Sequence, residues 1–353
     1  MGFLDVGGGL GVDYDGSRSA TAASTNYSLQ NYANDVVATI RECCEPQGID
    51  VPTLVSESGR AIASHFSVLV FNVLGHSGVS RPTIPNAVDG EALIVRNLRE
   101  TLAGIRPDNL QEAWNDALKF KDDALAAFRL GYLSLPERGK AEQLYWACCS
   151  AIADLLPGEE ELPDELKGLK AAFASTYYAN LSVFRSAPDT WAIDQLFPVM
   201  PIHRLQEQPR ELGSFADLTC DSDGKLTRFI ASGSVKPLLE LHELKDGEPY
   251  WIGLFLGGAY QEVMGNLHNL FGSTNAVSIR LSPGGPYRVE HVVRGQTNSD
   301  VLEAMEHNPE ALLERLRQAS EEAIGSGDLS ISAARRLMQH LEGSLRQTTY
   351  LEE

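Results

Sequence analysis

The sequence Phe3-Leu-Asp-Val-Gly-Gly-Gly-Leu-Gly-Val-Asp-Tyr14 joins a short apolar run to a glycine-rich loop. Glycines adopt positive φ angles and carry no Cβ, so consecutive backbone N–H groups can converge on an anion. A strand that leads into such a loop is a common way to hold a phosphate. The spacing matches neither Gly-x-Gly-x-x-Gly nor the P-loop, which gives little support to a dinucleotide or ATP site. A tight turn without a ligand is the alternative.

The segments that follow this loop alternate between helical and extended patterns. Apolar residues recur at intervals of three and four between Ser28 and Gly48, which predicts a helix with Ser28 as its N-cap. Residues 53–63 read as a strand, and a second apolar run covers 66–74. Strand, helix and strand with polar residues at the strand ends are typical of a parallel β/α barrel or an open sheet.

The remainder of the chain predicts three further regions. Helical periodicity dominates 91–175, with helices expected over 91–104, 109–130, 136–156 and 162–175. Short apolar segments between 177 and 293 predict an all-β barrel or sandwich, and the tail is helical again. The predicted fold class is therefore α/β plus all-β, with four domains: residues 1–76 as the C-terminal part of a β/α barrel, 77–175 as a helical insertion, 176–298 as a β domain and 299–353 as a C-terminal helical segment.

The composition limits which binding partners and which cellular compartment are expected. The 353 residues carry a formal net charge of −19, which disfavours nucleic acid and anionic membranes. The sequence has no apolar run of membrane-spanning length, and its first residues lack a signal-peptide pattern. The five cysteines form neither a disulfide framework nor metal-finger spacing. We therefore expect a cytoplasmic protein. Because the sequence opens inside a predicted strand, we also expect it to be the C-terminal portion of a longer protein.

Three groups of residues are candidates for chemistry. Glu57 and Arg60 follow the second strand, where the cation can supplement backbone N–H groups on a phosphate and the carboxylate can pair with a protonated ring nitrogen; an exposed ion pair is the alternative. Cys220-Asp-Ser-Asp-Gly224 ends a strand, and the acids beside the thiol disfavour a thiolate, which suits a proton donor. Its two acids can pair with a cationic substrate or, together with Asp217, bind a divalent cation; a simple turn also explains Asp223-Gly224. Tyr260 presents a phenol beside small residues.

Taken together and in order, these motifs resemble one family. The motifs are Gly7-Gly-Gly-Leu-Gly11, Glu57-Ser-Gly-Arg60, Asp189-Thr-Trp-Ala-Ile-Asp-Gln-Leu-Phe-Pro198, Cys220-Asp-Ser-Asp-Gly224, Gly258-Ala-Tyr260 and Gly265-Asn-Leu-His-Asn-Leu-Phe-Gly272. They look like those of the bacterial biosynthetic arginine decarboxylases, which are fold-type-III, alanine-racemase-like enzymes dependent on pyridoxal 5′-phosphate (PLP). The resemblance runs from Phe3 to Tyr350. It implies a PLP-binding (β/α)8 barrel with a helical insertion, a β domain and terminal helices.

The resemblance also implies a role for individual residues. Those implied to bind the cofactor are Gly7, Gly8, Gly9, Gly11, Glu57, Arg60 and Tyr260, with Glu57 on the pyridinium nitrogen and the others on the phosphate. Cys220 is implied to reprotonate the α-carbon after CO2 leaves, acting across a dimer interface. Asp221 and Asp223 are our candidates for the arginine side chain, and we also assign to substrate binding the remaining residues of the opening stretch, Leu4, Asp5, Val6, Leu10, Val12, Asp13 and Tyr14. Tyr177-Tyr-Ala-Asn180 departs from the related ornithine decarboxylases, because Leu181-Ser182 replaces their Asp-Gly.

The implied reaction is conversion of L-arginine to agmatine and CO2 through a PLP external aldimine, in polyamine and spermidine biosynthesis. The resemblance implies Mg2+ as well, with ligands that the sequence does not identify, and a homodimer or larger homo-oligomer with shared active sites. The family's Schiff-base lysine has no counterpart, because all eight lysines follow residue 118. We therefore expect the isolated chain to be incomplete and to need an N-terminal barrel fragment. The alternatives are a non-catalytic partner of an intact decarboxylase and a decarboxylase of another basic amino acid.

Overall fold

Two short parallel strands and the helix between them form the part of the fold that carries the glycine loop. The computed structural model describes residues 2–78, 83–156, 166, 169 and 173–352. Strands β1 (Phe3–Asp5) and β2 (Thr53–Val55) pair in parallel, and helix α1 (Leu29–Cys44) connects them. Ser28 caps α1 in a capping box with Asn31, as the sequence predicts. Both strands end at the same edge, so the loops that follow them are neighbours.

A mixed seven-stranded sheet forms the second part of the fold. Its strands are β3 (Val68–Ser77), β4 (Ser175–Ala179), β5 (Val199–Pro201), β6 (Glu211–Ala216), β7 (Lys225–Leu226), β10 (Leu239–Leu241) and β11 (Tyr250–Phe255). Their order in the sheet is β10-β6-β4-β3-β11-β5, with β7 paired to β6, and only β4 and β6 run parallel. Two separate hairpins pair β8 (Phe229–Ala231) with β9 (Ser234–Lys236) and β12 (Ala276–Arg280) with β13 (Arg288–Val293).

The helices group as the sequence predicts, and each group has its own position in the chain. The insertion contains α3 (Leu93–Gly104), α4 (Leu110–Arg129) and α5 (Leu135–Leu155), and α5 begins with Pro136 inside its first turn. The expected helix over 162–175 lies largely outside the described residues. The C-terminal helices are Asn298–Ala304, Pro309–Ser326 and Ile331–Leu345. Within the described part of the chain, every helix is too short or too polar to cross a bilayer.

The pairing of β3 changes the grouping of one predicted segment. The sequence assigns 66–74 to the barrel, but β3 pairs with β11 in register Phe71↔Ile252 and with β4, so hydrogen bonding places it in the large sheet. An apolar run identifies a strand but not its neighbours, because parallel and antiparallel partners both bury it.

Two shorter predictions of local structure also differ. The strand expected over 53–63 ends at Val55, and helix α2 (Gly59–Ala63) occupies the rest. The strand expected over Tyr177–Phe184 ends at Ala179, and the short helix Val183–Ser186 follows, with the Ser182 side chain accepting from the Arg185 N–H. In both segments a serine ahead of a few apolar residues signals a helix start, which apolar content alone does not separate from a strand.

The hydrophobic core of the large sheet reaches back to the opening stretch. Val12, Tyr14 and Ala23 are buried in the same cluster as Phe71 and Phe215. A second cluster fills the helical insertion and includes the buried Cys148 and Cys149. The loop that follows β1 is therefore anchored on the β domain, which fixes the glycines relative to that domain.

Candidate cofactor and substrate site

The glycine loop and Glu57 lie side by side at the ends of β1 and β2. The Val6 N–H donates to the Val55 carbonyl and the Glu57 N–H donates to the Gly7 carbonyl, both at 2.9 Å. Gly7 and Gly9 have φ angles of +74° and +91°, which L side chains rarely adopt, and a Cβ at either would meet no atom within 4 Å. The space over the loop is open, and the exposed Glu57 borders it. This arrangement fits a phosphate beside a ring that presents a protonated nitrogen.

Arg60 extends from α2 into a set of contacts with the β domain. Its Nη2 lies 3.0 Å from Asp189 Oδ2, and its Nη1 donates to the Tyr14 hydroxyl at 3.2 Å. The guanidinium carbon lies 5.0 Å from the centroid of the Tyr260 ring, within cation–π range. Burial alone lowers the pKa of Arg60, but the hydrogen bonds that it donates to Tyr14 and Asp189 outweigh this effect and raise the pKa. Arg60 therefore stays cationic in a partly desolvated place.

Tyr260 reaches this place because two glycines let its loop approach α2 closely. The N–H groups of Gly257 and Gly258 donate to the carbonyls of Ser67 and Ser64. A Cβ at Gly258 would lie 2.0 Å from the Ala63 carbonyl oxygen, so only glycine fits there. Tyr260 itself has φ +71°, and its hydroxyl would touch a Cβ at Gly59 at 3.0 Å. Arg60 and Tyr260 were predicted from separate motifs, and the fold brings them into contact.

Cys220 lies with a second group of residues. Its side chain is exposed, and its sulfur accepts from Asn269 Nδ2 at 3.5 Å. The neighbouring Asp221 has its Oδ2 3.5 Å from Nε2 of His268, and the His268 ring packs on Phe184 with centroids 4.3 Å apart. Asn269 has φ +52°, a conformation that asparagine tolerates better than most residues. The motif Gly265–Gly272 thus supplies two side chains to the Cys220 loop.

Asp217 organises the Cys220 loop from within. This buried carboxylate accepts hydrogen bonds from the Val183 N–H at 2.9 Å and from the N–H and hydroxyl of Thr219. A Cβ at Gly224 would lie 2.2 Å from Asp217 Oδ1. The carboxylate is thus engaged by donors. Among the residues that the structure describes, no cluster of three or more His, Cys, Asp or Glu side chains has metal-binding geometry, so a Mg2+ ion finds no matching ligand set there.

Asp223 contacts a different environment from Asp221. It lines a cavity of about 170 Å3 together with Lys225 and Arg228, while its N–H donates to Asp221 Oδ1. Arg228 also pairs with the exposed Asp194. The two candidate acids for a guanidinium group therefore face different neighbours.

The remaining predicted substrate residues have mainly structural contacts. Asp5 Oδ1 accepts from the Gly7 N–H at 2.7 Å, and Asp13 Oδ1 accepts from Gly16 N–H and Ser24 Oγ, so both carboxylates stabilise turns. Leu10, Val12 and Tyr14 are buried, and Tyr14 presents its hydroxyl to Arg60. Gly11 donates to Tyr27 Oη, and Leu4 and Val6 are half-buried. These side chains shape the loop from behind.

Sequence reasoning missed four residues of these clusters: Asp189, Gln261, His268 and Asn269. All four lie in or beside the quoted motifs, yet none received a role. For Asp189 and Gln261, the available signal was a polar residue inside an apolar motif, because such a group needs a partner when it is buried. The partner lies 129 residues away for Asp189 and 49 residues away for Asn269, which no local pattern reveals.

The chain matches three family models in the order that the motifs predict. The model described as pyridoxal-dependent decarboxylase, pyridoxal binding domain, matches residues 1–64. The arginine decarboxylase helical bundle domain matches residues 89–170, and the arginine decarboxylase C-terminal helical extension matches residues 299–351.

Relatives that are similar in sequence and one similar structure carry the same name. A biosynthetic arginine decarboxylase of Synechococcus sp. (strain RCC307) is 96% identical over 353 residues, which are 100% of this chain and 55% of that protein. One from Gloeobacter violaceus is 53% identical over 99% of this chain and 55% of its own length. The crystal structure of the biosynthetic arginine decarboxylase SpeA from Campylobacter jejuni superposes with a TM-score of 0.81 at 31% identity, covering 100% of this chain and 57% of that one.

The match to the pyridoxal binding domain over residues 1–64 and the superposition on the Campylobacter jejuni structure agree with the predicted fold class. In sequence the chain is similar over its whole length to the biosynthetic arginine decarboxylases, which confirms the resemblance. The chain spans little more than half the length of the relatives that it matches.

Proposed function

We propose that this chain takes part in the PLP-dependent decarboxylation of L-arginine to agmatine and CO2, a reaction of polyamine biosynthesis. The observation that carries the proposal is the convergence of the open glycine loop, Glu57, Arg60 and Tyr260, which come from three separate segments. An anion and a cationic ring nitrogen are the two charged ends of PLP. When bound, PLP supplies the electron sink that makes loss of CO2 from an amino acid possible.

The residues around the glycine loop would bind the cofactor and polarise its ring. The backbone N–H groups of Gly8 and Gly9 and the guanidinium of Arg60 would bind the phosphate, with the Tyr260 hydroxyl beside them. Gly7 and Gly11 would shape the loop, since their N–H groups already donate to Asp5 and Tyr27. Glu57 would accept a hydrogen bond from the pyridine nitrogen and so keep a proton on that atom. Hydrogen bonds to an ionised carboxylate or from a guanidinium are roughly twice as strong as those between neutral groups.

The residues of the Cys220 loop deliver a proton and select the substrate. Cys220 would give its S–H proton to the substrate's α-carbon after CO2 leaves. Asp221 would receive the guanidinium, since it lies beside Cys220 and within 3.5 Å of His268 in the motif Gly265–Gly272, whereas Asp223 lines a separate cavity with Lys225 and Arg228. We assign Cys220 to the site of a second copy in a homodimer or larger homo-oligomer, because it contacts Asn269 and not the Arg60 cluster within this chain. Mg2+ has no step in this proposal.

The lysines set a further condition. No lysine precedes Lys119, and the six described ones lie in the helical insertion or the β domain, with Lys167 and Lys170 outside the described residues. We propose that the lysine that binds PLP comes from a barrel segment outside this sequence. Cytoplasmic location and a role in spermidine synthesis rest on the same family resemblance.

A chimera tests the function. The portion of the Synechococcus relative that precedes the matched region is fused to this chain, and CO2 and agmatine are measured with PLP and arginine. We expect activity on arginine, with lysine and ornithine much poorer, and loss of at least about a hundredfold in Cys220→Ala, as for removal of a proton-transfer group. A chimera that binds PLP without decarboxylating any basic amino acid would favour the non-catalytic partner, and preference for lysine or ornithine would favour the other decarboxylase.

A further inference from the structure

The carboxylate of Asp189 is buried although nothing in its own segment neutralises it. Its side chain is 6% exposed, in the short helix Asp189–Ala192 of the motif that ends at Pro198. A buried carboxylate is retained only when charge and hydrogen bonds compensate its desolvation. The compensating groups are Arg60 and Gln261, which lie 129 and 72 residues away in sequence.

Gln261 fixes the carboxylate from two sides. Its Nε2 donates to Asp189 Oδ2 at 2.8 Å and to the Ala259 carbonyl, and its Oε1 accepts from the Asp189 N–H at 3.1 Å. Gln261 is itself buried and follows Tyr260 directly, so one loop provides both the aromatic ring beside Arg60 and the amide that orients its counter-ion. The carboxylate therefore has a single defined orientation, with Oδ2 shared between Gln261 and Arg60.

We propose that Asp189, held by Gln261, is a positioning residue that fixes the guanidinium of Arg60 for the cofactor phosphate. The inference rests on the proposed function. The contacts with Asp189 and Tyr14 use two of the five N–H donors of the guanidinium, and the ring of Tyr260 limits its rotation. Donors remain for an anion, and the ordering of a long side chain is completed before the anion arrives.

Removal of the Asp189 charge distinguishes two roles for this carboxylate, namely positioning of the Arg60 guanidinium and neutralisation of its charge. If the carboxylate only neutralises the cation, Asp189→Asn strengthens phosphate binding, because the guanidinium becomes less compensated. If the carboxylate positions the cation, the same change weakens phosphate binding. The sign of the effect is thus diagnostic, and it does not depend on a change in stability.

The test measures the phosphate-dependent part of binding in the chain itself. Dissociation constants for pyridoxamine 5′-phosphate and for pyridoxamine are measured by calorimetry; neither ligand carries an aldehyde, so neither reacts with the eight lysines. We expect the wild-type chain to prefer the phosphorylated ligand and Asp189→Asn to reduce that preference about tenfold, the range for a lost charged hydrogen bond. Asp194→Asn is the matched control, since Asp194 lies in the same motif but is exposed and pairs with Arg228.

Each outcome decides one claim. An unchanged or increased preference for the phosphorylated ligand in Asp189→Asn overturns the positioning role and leaves the cofactor site intact. Equal binding of the two ligands by the wild-type chain refutes the phosphate site, and the inference fails with it. A tenfold loss in Asp189→Asn, with Asp194→Asn like wild type and partial recovery in Asp189→Glu, supports the inference.

Discussion

Substitution of Gly258 by alanine tests whether the contact between the β domain and α2 holds the site together. A Cβ at this position would lie 2.0 Å from the Ala63 carbonyl oxygen and 2.9 Å from the Phe66 ring. Real Cβ atoms essentially never approach within 3.0 Å, so the two segments must separate by about 1 Å. Because one neighbour is backbone, no side-chain rotation relieves the overlap.

The magnitude follows from the contacts that this separation weakens. Overpacking of a tight contact costs about 1–3 kcal/mol. The hydrogen bonds from Gly257 to Ser67 and from Gly258 to Ser64 cross the same contact, and each contributes about 1 kcal/mol. We therefore expect Gly258→Ala to lower the free energy of unfolding by about 3 kcal/mol and to weaken the preference for pyridoxamine 5′-phosphate, since Tyr260 leaves Arg60.

The assay is urea unfolding followed by circular dichroism, with the binding measurement alongside. Gly257→Ala is the control, because a Cβ there would meet only Leu254 Cδ2 at an ordinary 3.6 Å. The same methyl group is thus added at two adjacent glycines, and we expect a large loss of stability only at Gly258. Equal stabilities of the two variants would refute the claim that close approach of these backbones positions Tyr260.

Three further predictions concern charge and thiols. Arg60→Ala strands the buried carboxylate of Asp189, so at pH 7 it should destabilise the chain by about 3–5 kcal/mol in urea. Hydrogen bonds from Arg99 lower the pKa of the buried Glu91 against the opposing effect of its burial, so the folded state binds fewer protons there than the unfolded chain. The resulting stabilisation is present above about pH 4.5 and is lost as pH falls through the folded pKa. Glu91→Gln should therefore flatten the dependence of stability on pH below about 5. Burial raises the pKa of the Cys148 and Cys149 thiols to about 12 and about 11, so a thiol reagent should modify the exposed Cys43 and Cys220 first, and Cys220→Ser should remove one of those two rapid reactions.

The first and the third of these predictions have a control. Arg317→Ala removes an exposed cation from ion pairs with Glu314 and Glu321, and its effect on stability should be small. A loss in Arg60→Ala no larger than that would contradict the buried pair. Denatured protein should expose all five thiols, and rapid modification of Cys148 or Cys149 in the folded chain would show that the insertion core is open.

The sequence predicted the parts of the site that local rules govern. Parallel strands end at one edge, so Glu57 was expected beside the glycine loop, and the backbone hydrogen bond from Glu57 to Gly7 agrees with that. The Asp223-Gly224 turn and the Ser28 cap follow from side-chain chemistry within a few residues. The resemblance to the biosynthetic arginine decarboxylases followed from six motifs in order.

Other features depend on contacts between distant segments and were out of reach. Strand β3 reads as an apolar run wherever it pairs, and its place between β4 and β11 is decided by partners more than 100 residues away. Asp5 and Asp13 were predicted to bind substrate together with the rest of the opening stretch. Their short hydrogen bonds to Gly7 and Gly16 show turn-forming contacts that compete with a role toward substrate.

The two clusters of candidate residues are linked through one aromatic side chain. Phe184 contacts Trp191 in the Asp189 motif at a centroid distance of 5.3 Å and contacts His268 beside Asp221 at 4.3 Å. The short helix that begins at Asp189 thus touches Arg60 through its carboxylate and reaches the Cys220 loop through Trp191 and Phe184. Because packed interiors transmit displacement, the orientation of the Arg60 guanidinium and the placement of the Cys220 loop depend on the same short segment. The Asp189 motif therefore supports both clusters, although it has no evident reactive group of its own.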